Sequence, residues 1–159
     1  MPEAVRRLQA AFEAVARTAM AGLPFVNPRL RVEAVGFREW HEQWLGVLVT
    51  PWSINVVLLP GSGAWPRVPF GAERFVDFPA GRFRFIAGSV EGLGEYHACS
   101  LFSPALEFAD HQTARATAEA SLLALHDPLM AAQASPRAQG LSRRDFLRGC
   151  PPEPNADVG

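Results

Sequence analysis

The chain has 159 residues, 48% of them apolar and 19% charged, and its 15 basic and 16 acidic residues leave a formal charge of -1. That length can bury one sizeable core but is short for two, so a single globular domain is expected. The balanced charge excludes a global field for nucleic acid, an anionic membrane or an acidic substrate, and any charged recognition must be local.

Val5, Leu8, Phe12, Val15, Ala16 and Ala19 recur at helical spacing ahead of Gly22 and Pro24, which predicts an amphipathic helix over residues 2–20. Arg6 and Arg7 are followed by Gln9, Glu13 and Arg17 instead of an apolar run, so no secretory signal is expected there. Arg31 to Phe37 is a weak strand candidate. Trp44 to Thr50 and Ile54 to Leu59 are rich in branched and aromatic residues and read as buried strands. The stretch they span is shorter than the roughly 20 residues of a membrane helix and is broken by Pro51, Ser53 and Asn55, so no membrane span is expected.

Arg74 to Phe78 is a further weak strand. Phe83, Phe85 and Ala87 alternate with Arg82, Arg84 and Ile86 in a half-buried one, and Tyr96 to Leu101 follows. Pro79-Ala80-Gly81 and Gly92-Leu93-Gly94 supply turns, and such short connections favour antiparallel pairing. Asp110 is the expected N-cap of a second helix that carries Ala114, Thr117, Ala118, Leu122 and Leu125 and stops at Asp127-Pro128. The order predicts an α+β fold: a single antiparallel sheet with an N-terminal and a C-terminal helix, both packed on one face. Residues 1–127 form the expected domain. Residues 128–159, with Pro136, Gly140, Pro151, Pro152 and Pro154, read as a flexible tail.

Every basic residue is Arg. Cys99 and Cys150 have no CxxC spacing, so neither a disulfide framework nor a metal or iron–sulfur site is expected, and a reducing, cytoplasmic setting fits. His97 and Cys99 stand two apart on a strand and therefore share a face, which leaves open a small enzyme or ligand-binding domain built on them; a buried thiol beside an imidazole is the plainer reading. Arg82 and Arg84 opposite Phe83 and Phe85 could stack on RNA, although the neutral charge favours an ordinary solvated face. His41, His111 and His126 read as surface or cap residues.

One tail segment is specific. Ser142-Arg143-Arg144-Asp145-Phe146-Leu147-Arg148 reproduces the twin-arginine export pattern, with Arg148 in place of the usual Lys. Because Cys150 to Gly159 holds no apolar run, the segment is not expected to export its own chain. Its content is two forked guanidinium groups followed by an apolar Phe-Leu pair, which is the chemistry of a ligand.

The body of the chain carries Gln43-Trp44-Leu45-Gly46 running into Thr50-Pro51-Trp52, then Leu59-Pro60-Gly61 with Trp65-Pro66, Gly88 to Glu91 before Gly92, and Tyr96-His97-Ala98-Cys99-Ser100-Leu101-Phe102-Ser103-Pro104. In order and spacing these words, over about residues 5–126, resemble the HybE (or HupJ) family of [NiFe]-hydrogenase assembly chaperones. The resemblance implies a cytoplasmic factor that is not an enzyme and uses no cofactor. It implies binding to the twin-arginine leader of a hydrogenase small subunit, delaying export until maturation, with other hydrogenase maturation factors as further partners. The tail would then imitate the client's leader; that it competes with the client as a tethered, autoinhibitory pseudo-leader is a further expectation, drawn from the tail's reach and not from the resemblance.

Residue chemistry proposes the contacts. Trp65, in a loop of Gly61, Gly63, Pro66 and Pro69, is the expected wall for a Phe-Leu step, with Trp52 as a further candidate; core packing is the rival reading for Trp52 and for Trp44. Glu91 and Glu95, flanking the Gly92–Gly94 turn, are the expected carboxylates for the paired arginines, ahead of Glu39, Glu42, Glu73 and Asp77.

Overall fold

In the computed structural model residues 1–133 are described, without the side chains of 131–133; the twin-arginine-like segment 142–148 lies outside them. The elements are α1 (Glu3–Arg17), β1 (Glu33–Trp40), β2 (Gln43–Val49), β3 (Ile54–Pro60), β4 (Glu73–Phe78), β5 (Gly81–Val90), β6 (Gly94–Phe102), α2 (His111–Leu125) and α3 (Pro128–Gln133). The strands form one sheet in the order β1-β2-β3-β6-β5-β4, every neighbouring pair antiparallel. Among the described residues no helix is long and apolar enough to cross a membrane.

Alternation along the strands sets two apolar faces. Val47, Val49, Val56, Leu58, Phe83, Phe85, Cys99 and Leu101 form the larger core, which Ala114, Ala118 and Leu125 of α2 cover. Leu48, Val57 and Leu59 point the other way and are covered by Val5 and Leu8 of α1. The two helices therefore lie on opposite faces, not together on one as the sequence suggested. The reason is in β2 and β3: four residues of β2 and five of β3 are buried hydrophobics in an almost unbroken run, so both faces must be kept from water. Leu8, with no exposure, contributes about 2 kcal/mol by leaving water, which is how α1 stays seated.

The sheet curls towards α2 until Trp40 of one edge strand stacks on Phe78 of the other, with ring centroids 4.8 Å apart. A bulge in β1 sets two residues, Gly36 and Phe37, against Gly46. Gly36 takes a left-handed φ of 67°, and a Cβ there would meet Leu122 of α2 at 2.5 Å. Asp110 caps α2 as expected, accepting from the Thr113 N–H at 2.7 Å. Beyond Asp127 the chain goes on into α3, whose Met130 packs against the larger core, so ordered structure continues past the expected boundary at residue 127.

His111 corrects a sequence reading. It is buried, not a surface residue: its Nε2–H donates to Glu33 at 2.7 Å while Nδ1 accepts the Arg31 backbone N–H, and Arg115 also pairs with Glu33. Glu33 thus ties β1 to α2.

Candidate functional site

The two-residue turn between β1 and β2 uses His41 and Glu42 at left-handed φ values of 51° and 62°, the backbone twist that such hairpins require. The loop after β3 lies on this turn. A Cβ at Gly61 would meet the Glu42 carbonyl oxygen at 2.2 Å, so only glycine allows the approach. This contact aims the following residues, Trp65 to Phe70, across the end of the concave face.

Beneath that loop four polar side chains from three strands join in a row. Arg74 of β4 donates to Gln43 Oε1 of β2 at 3.1 Å and to His97 Nδ1 of β6 at 2.9 Å, and His97 Nε2 lies 3.0 Å from Glu95 Oε2. A guanidinium has no acceptor, so Nδ1 must accept and the proton sits on Nε2, donated to Glu95. His97 has no exposure. Burial pushes its imidazole below the ordinary value; the Glu95 bond opposes this and the Arg74 charge reinforces it. A second proton would have to sit on Nδ1, facing Arg74.

Trp65 closes the row from above, stacked on His97 at 4.3 Å between ring centroids, with the Arg74 guanidinium 5.4 Å from its ring. Its indole N–H is buried and without a partner at full hydrogen-bond geometry. Burial raises the Glu95 carboxyl, but the hydrogen bond from His97, with the nearby Trp65 indole and Val68 N–H, holds it below the ordinary carboxylate value. Glu95 Oε1 turns outward, 4.0 Å from the guanidinium of Arg67, whose side chain is 87% exposed.

Two of the four residues expected to contact a leader, Trp65 and Glu95, are thus brought together. The other two are not. Glu91 is exposed on the β5–β6 turn, and Trp52 is half-buried in the β2–β3 turn at the opposite end of the sheet. Trp65 differs from its expected part as a free-standing groove wall, because it packs against the core. Glu73 and Asp77 pair with Arg84 and Arg82 on the neighbouring strand, at 3.1 and 3.8 Å, and the Arg82–Arg84 face is an ordinary solvated one. Ser142, Arg143, Arg144, Phe146 and Leu147 lie outside the described residues.

His97 and Cys99 do share a face, but both imidazole nitrogens are engaged, and Cys99 is 2% exposed. That pair offers neither an available base nor a thiolate. A second hollow of about 240 Å³ lies between β1 and α2, lined by Gly36, Arg38, Glu119, Leu122 and Leu123. Its one carboxylate, Glu119, is held 3.4 Å from Arg115, and Arg38 repels an incoming cation.

Gln43 and Arg74 escaped the sequence reading. A signal exists: each occupies an inward position of its strand, in phase with Leu45 and Val47 or with Val76 and Phe78. A polar residue at an inward position must find a partner.

The network sets a pH dependence. Because His97 is held neutral when folded, the unfolded chain takes up its proton first as pH falls through the ordinary imidazole value of 6.5, and stability declines from there. His126, also lowered by burial and by Arg38, acts in the same direction. Glu33 and Glu95 have depressed folded values, so their contribution is present above the ordinary 4.5 and is lost as pH falls through the folded values. For Glu33, burial is outweighed by His111 and Arg115. Urea unfolding should show stability falling between about pH 7 and pH 5, and more steeply below. A flat profile over the first interval would reject the neutral, buried His97.

Comparison with known proteins places this arrangement in context. The family described as "[NiFe]-hydrogenase assembly, chaperone, HybE" matches residues 3–149, a span that includes the segment 142–148, beyond the motif words ending near residue 126. The chain is 42% identical to the hydrogenase expression/formation protein HupJ of Bradyrhizobium diazoefficiens over 146 residues, covering 89% of this chain and 85% of that one. It is 38% identical to the protein HoxT of Cupriavidus necator, covering 91% and 88%. The solution structure of HybE from Escherichia coli is similar at a TM-score of 0.64 and 29% identity, over 77% of this chain and 76% of that one.

Proposed function

Since the chain belongs to the HybE family of [NiFe]-hydrogenase assembly chaperones, we propose that it works in the cytoplasm as a binding factor without catalysis, taking the twin-arginine leader of a hydrogenase small-subunit precursor and delaying export until maturation is complete. The observation that carries this reading is that a chain of this family holds its own copy of the leader pattern, Ser142-Arg143-Arg144-Asp145-Phe146-Leu147. A leader and a pseudo-leader that compete for one site explain why such a segment would be kept.

The Trp65–Glu95 end of the sheet supports the chemistry. Glu95 is an ionised carboxylate on a partly exposed side chain, oriented by a buried imidazole, which suits a forked guanidinium contact. The loop that carries Trp65 also presents Phe70, 80% exposed, to an apolar step. Other maturation factors of the hydrogenase are further partners under this reading.

The test is a titration of the protein with a synthetic leader peptide and its Lys–Lys variant. Lysine keeps the charge but loses the planar fork, so the variant should bind roughly tenfold more weakly. Equal affinity for the two peptides would remove guanidinium recognition.

A further inference from the structure

Resting on the leader-binding reading, we infer that Arg67 is a built-in stand-in for a twin-arginine guanidinium: its own guanidinium occupies the outer oxygen of Glu95 whenever neither peptide nor tail is bound there, and is exchanged for the guanidinium of the bound peptide.

The inner oxygen of Glu95 is fixed. His97, with no exposure, holds Oε2 at 3.0 Å, and Trp65 is stacked on His97 beside it. The outward atom is Oε1, and its neighbour is Arg67 at 4.0 Å, the outer limit of an ion pair. The short contact of Glu95 is therefore to a buried group that stays in place, and the long one is to a side chain that is 87% exposed. The exchange replaces one guanidinium by another, so the site never loses its counter-charge.

The loop is built to survive the exchange. It is tied down before Arg67 by the Trp65 stack on His97, and after it by Gly71, whose N–H donates to Ala87 O at 2.8 Å; Ala87 is the cross-strand partner of His97. Pro66 and Pro69 stiffen the stretch between. When Arg67 lets go, Trp65 and Phe70 keep their positions, and Phe70 remains available for the Phe-Leu step that follows the leader's arginines. The incoming contact at Oε1 is a charge-assisted hydrogen bond in place of a distant ion pair.

The experiment is a mutant cycle in the full chain, with Arg143→Ala and Arg144→Ala present throughout so that the tail does not compete: wild type at both positions, Arg67→Gln, Glu95→Gln and the double variant, each titrated with the leader peptide. An exposed ion pair of this kind is worth up to about 1 kcal/mol, so Arg67→Gln should bind the peptide about two- to fivefold more tightly than wild type. Glu95→Gln should bind more weakly, and adding Arg67→Gln to it should change nothing further, because the contested oxygen has lost its charge. Arg67→Lys separates geometry from charge: it should bind the peptide no more weakly than wild type.

If Arg67→Gln weakens binding, or if its gain persists undiminished in the Glu95→Gln background, the exchange is wrong and Arg67 acts as a direct contact or as bulk charge. If the peptide binds but neither residue matters, the exchange alone falls. If none of the proteins binds the peptide, the leader reading itself falls and takes the exchange with it. Should Glu95→Gln unfold the chain, the single Arg67→Gln comparison still decides, since Arg67 is exposed and its loss leaves the fold intact.

Discussion

Replacing His97 with leucine is expected to lower the stability of the fold by about 3 kcal/mol, more than a buried leucine could restore. The imidazole is the middle of a row, so its loss leaves the Arg74 guanidinium with only Gln43 and leaves Glu95 Oε2 without a donor. Donors and acceptors stranded under Trp65 cost about 1–3 kcal/mol, more where they are charged. The stacking of Trp65 on the ring, typically about 0.5–1.5 kcal/mol, is lost as well. His97→Gln is the informative companion. Its amide offers one acceptor towards Arg74 and one donor towards Glu95, and should recover all but about 1 kcal/mol. Urea unfolding of the three proteins separates the cases; an equal loss for leucine and glutamine would mean that shape, not hydrogen bonding, holds this end of the sheet.

Removing the pseudo-leader is expected to raise affinity for a leader peptide about 100-fold. The chain from Gln133, the end of α3, to Arg143 is short. Were the roughly ten residues between them to behave as a flexible chain, their root-mean-square span would be roughly 17 Å and the effective concentration of Arg143 on the order of 1 mM. A tail that binds the shared site with a dissociation constant of about 10 μM would then occupy it about 99% of the time. Truncation after Pro136, or Arg143→Ala with Arg144→Ala, should both reveal the open site, by the same factor in affinity. The factor shrinks to about twofold if the tail's own affinity is near 1 mM. Unchanged peptide affinity on truncation of a monomeric protein would end the autoinhibitory reading.

How much of this was legible beforehand depended on whether the signal was periodic. The strands were read because Phe83, Phe85 and Ala87 alternate cleanly with Arg82, Arg84 and Ile86, and α2 because Asp110 caps a run at helical spacing. The placement of the helices was not read from β2 and β3. A strand apolar on both sides carries no alternation to say which face each helix covers, and the choice of one face overlooked the second apolar surface. The site was half legible. Trp65 and Glu95 stood out by residue type. Gln43 and Arg74 became members only through a sheet order that brings the start of β4 beside residues far away in sequence, and no short-range spacing encodes that. Glu91 and Trp52 were chosen by nearness in sequence to a turn or a motif word, which the register of the sheet does not respect.

The curl of the sheet has a consequence for life at high concentration. The outer strands are poor templates for another chain: β1 is interrupted by its bulge after Val35, with Leu122 lying over Gly36, while β4 is only six residues long and carries charged Glu73 and Asp77. Trp40 and Phe78, the large apolar groups at those margins, spend their surface on each other. A protein with such blunted margins resists edge-to-edge polymerisation with its own copies even when it is abundant.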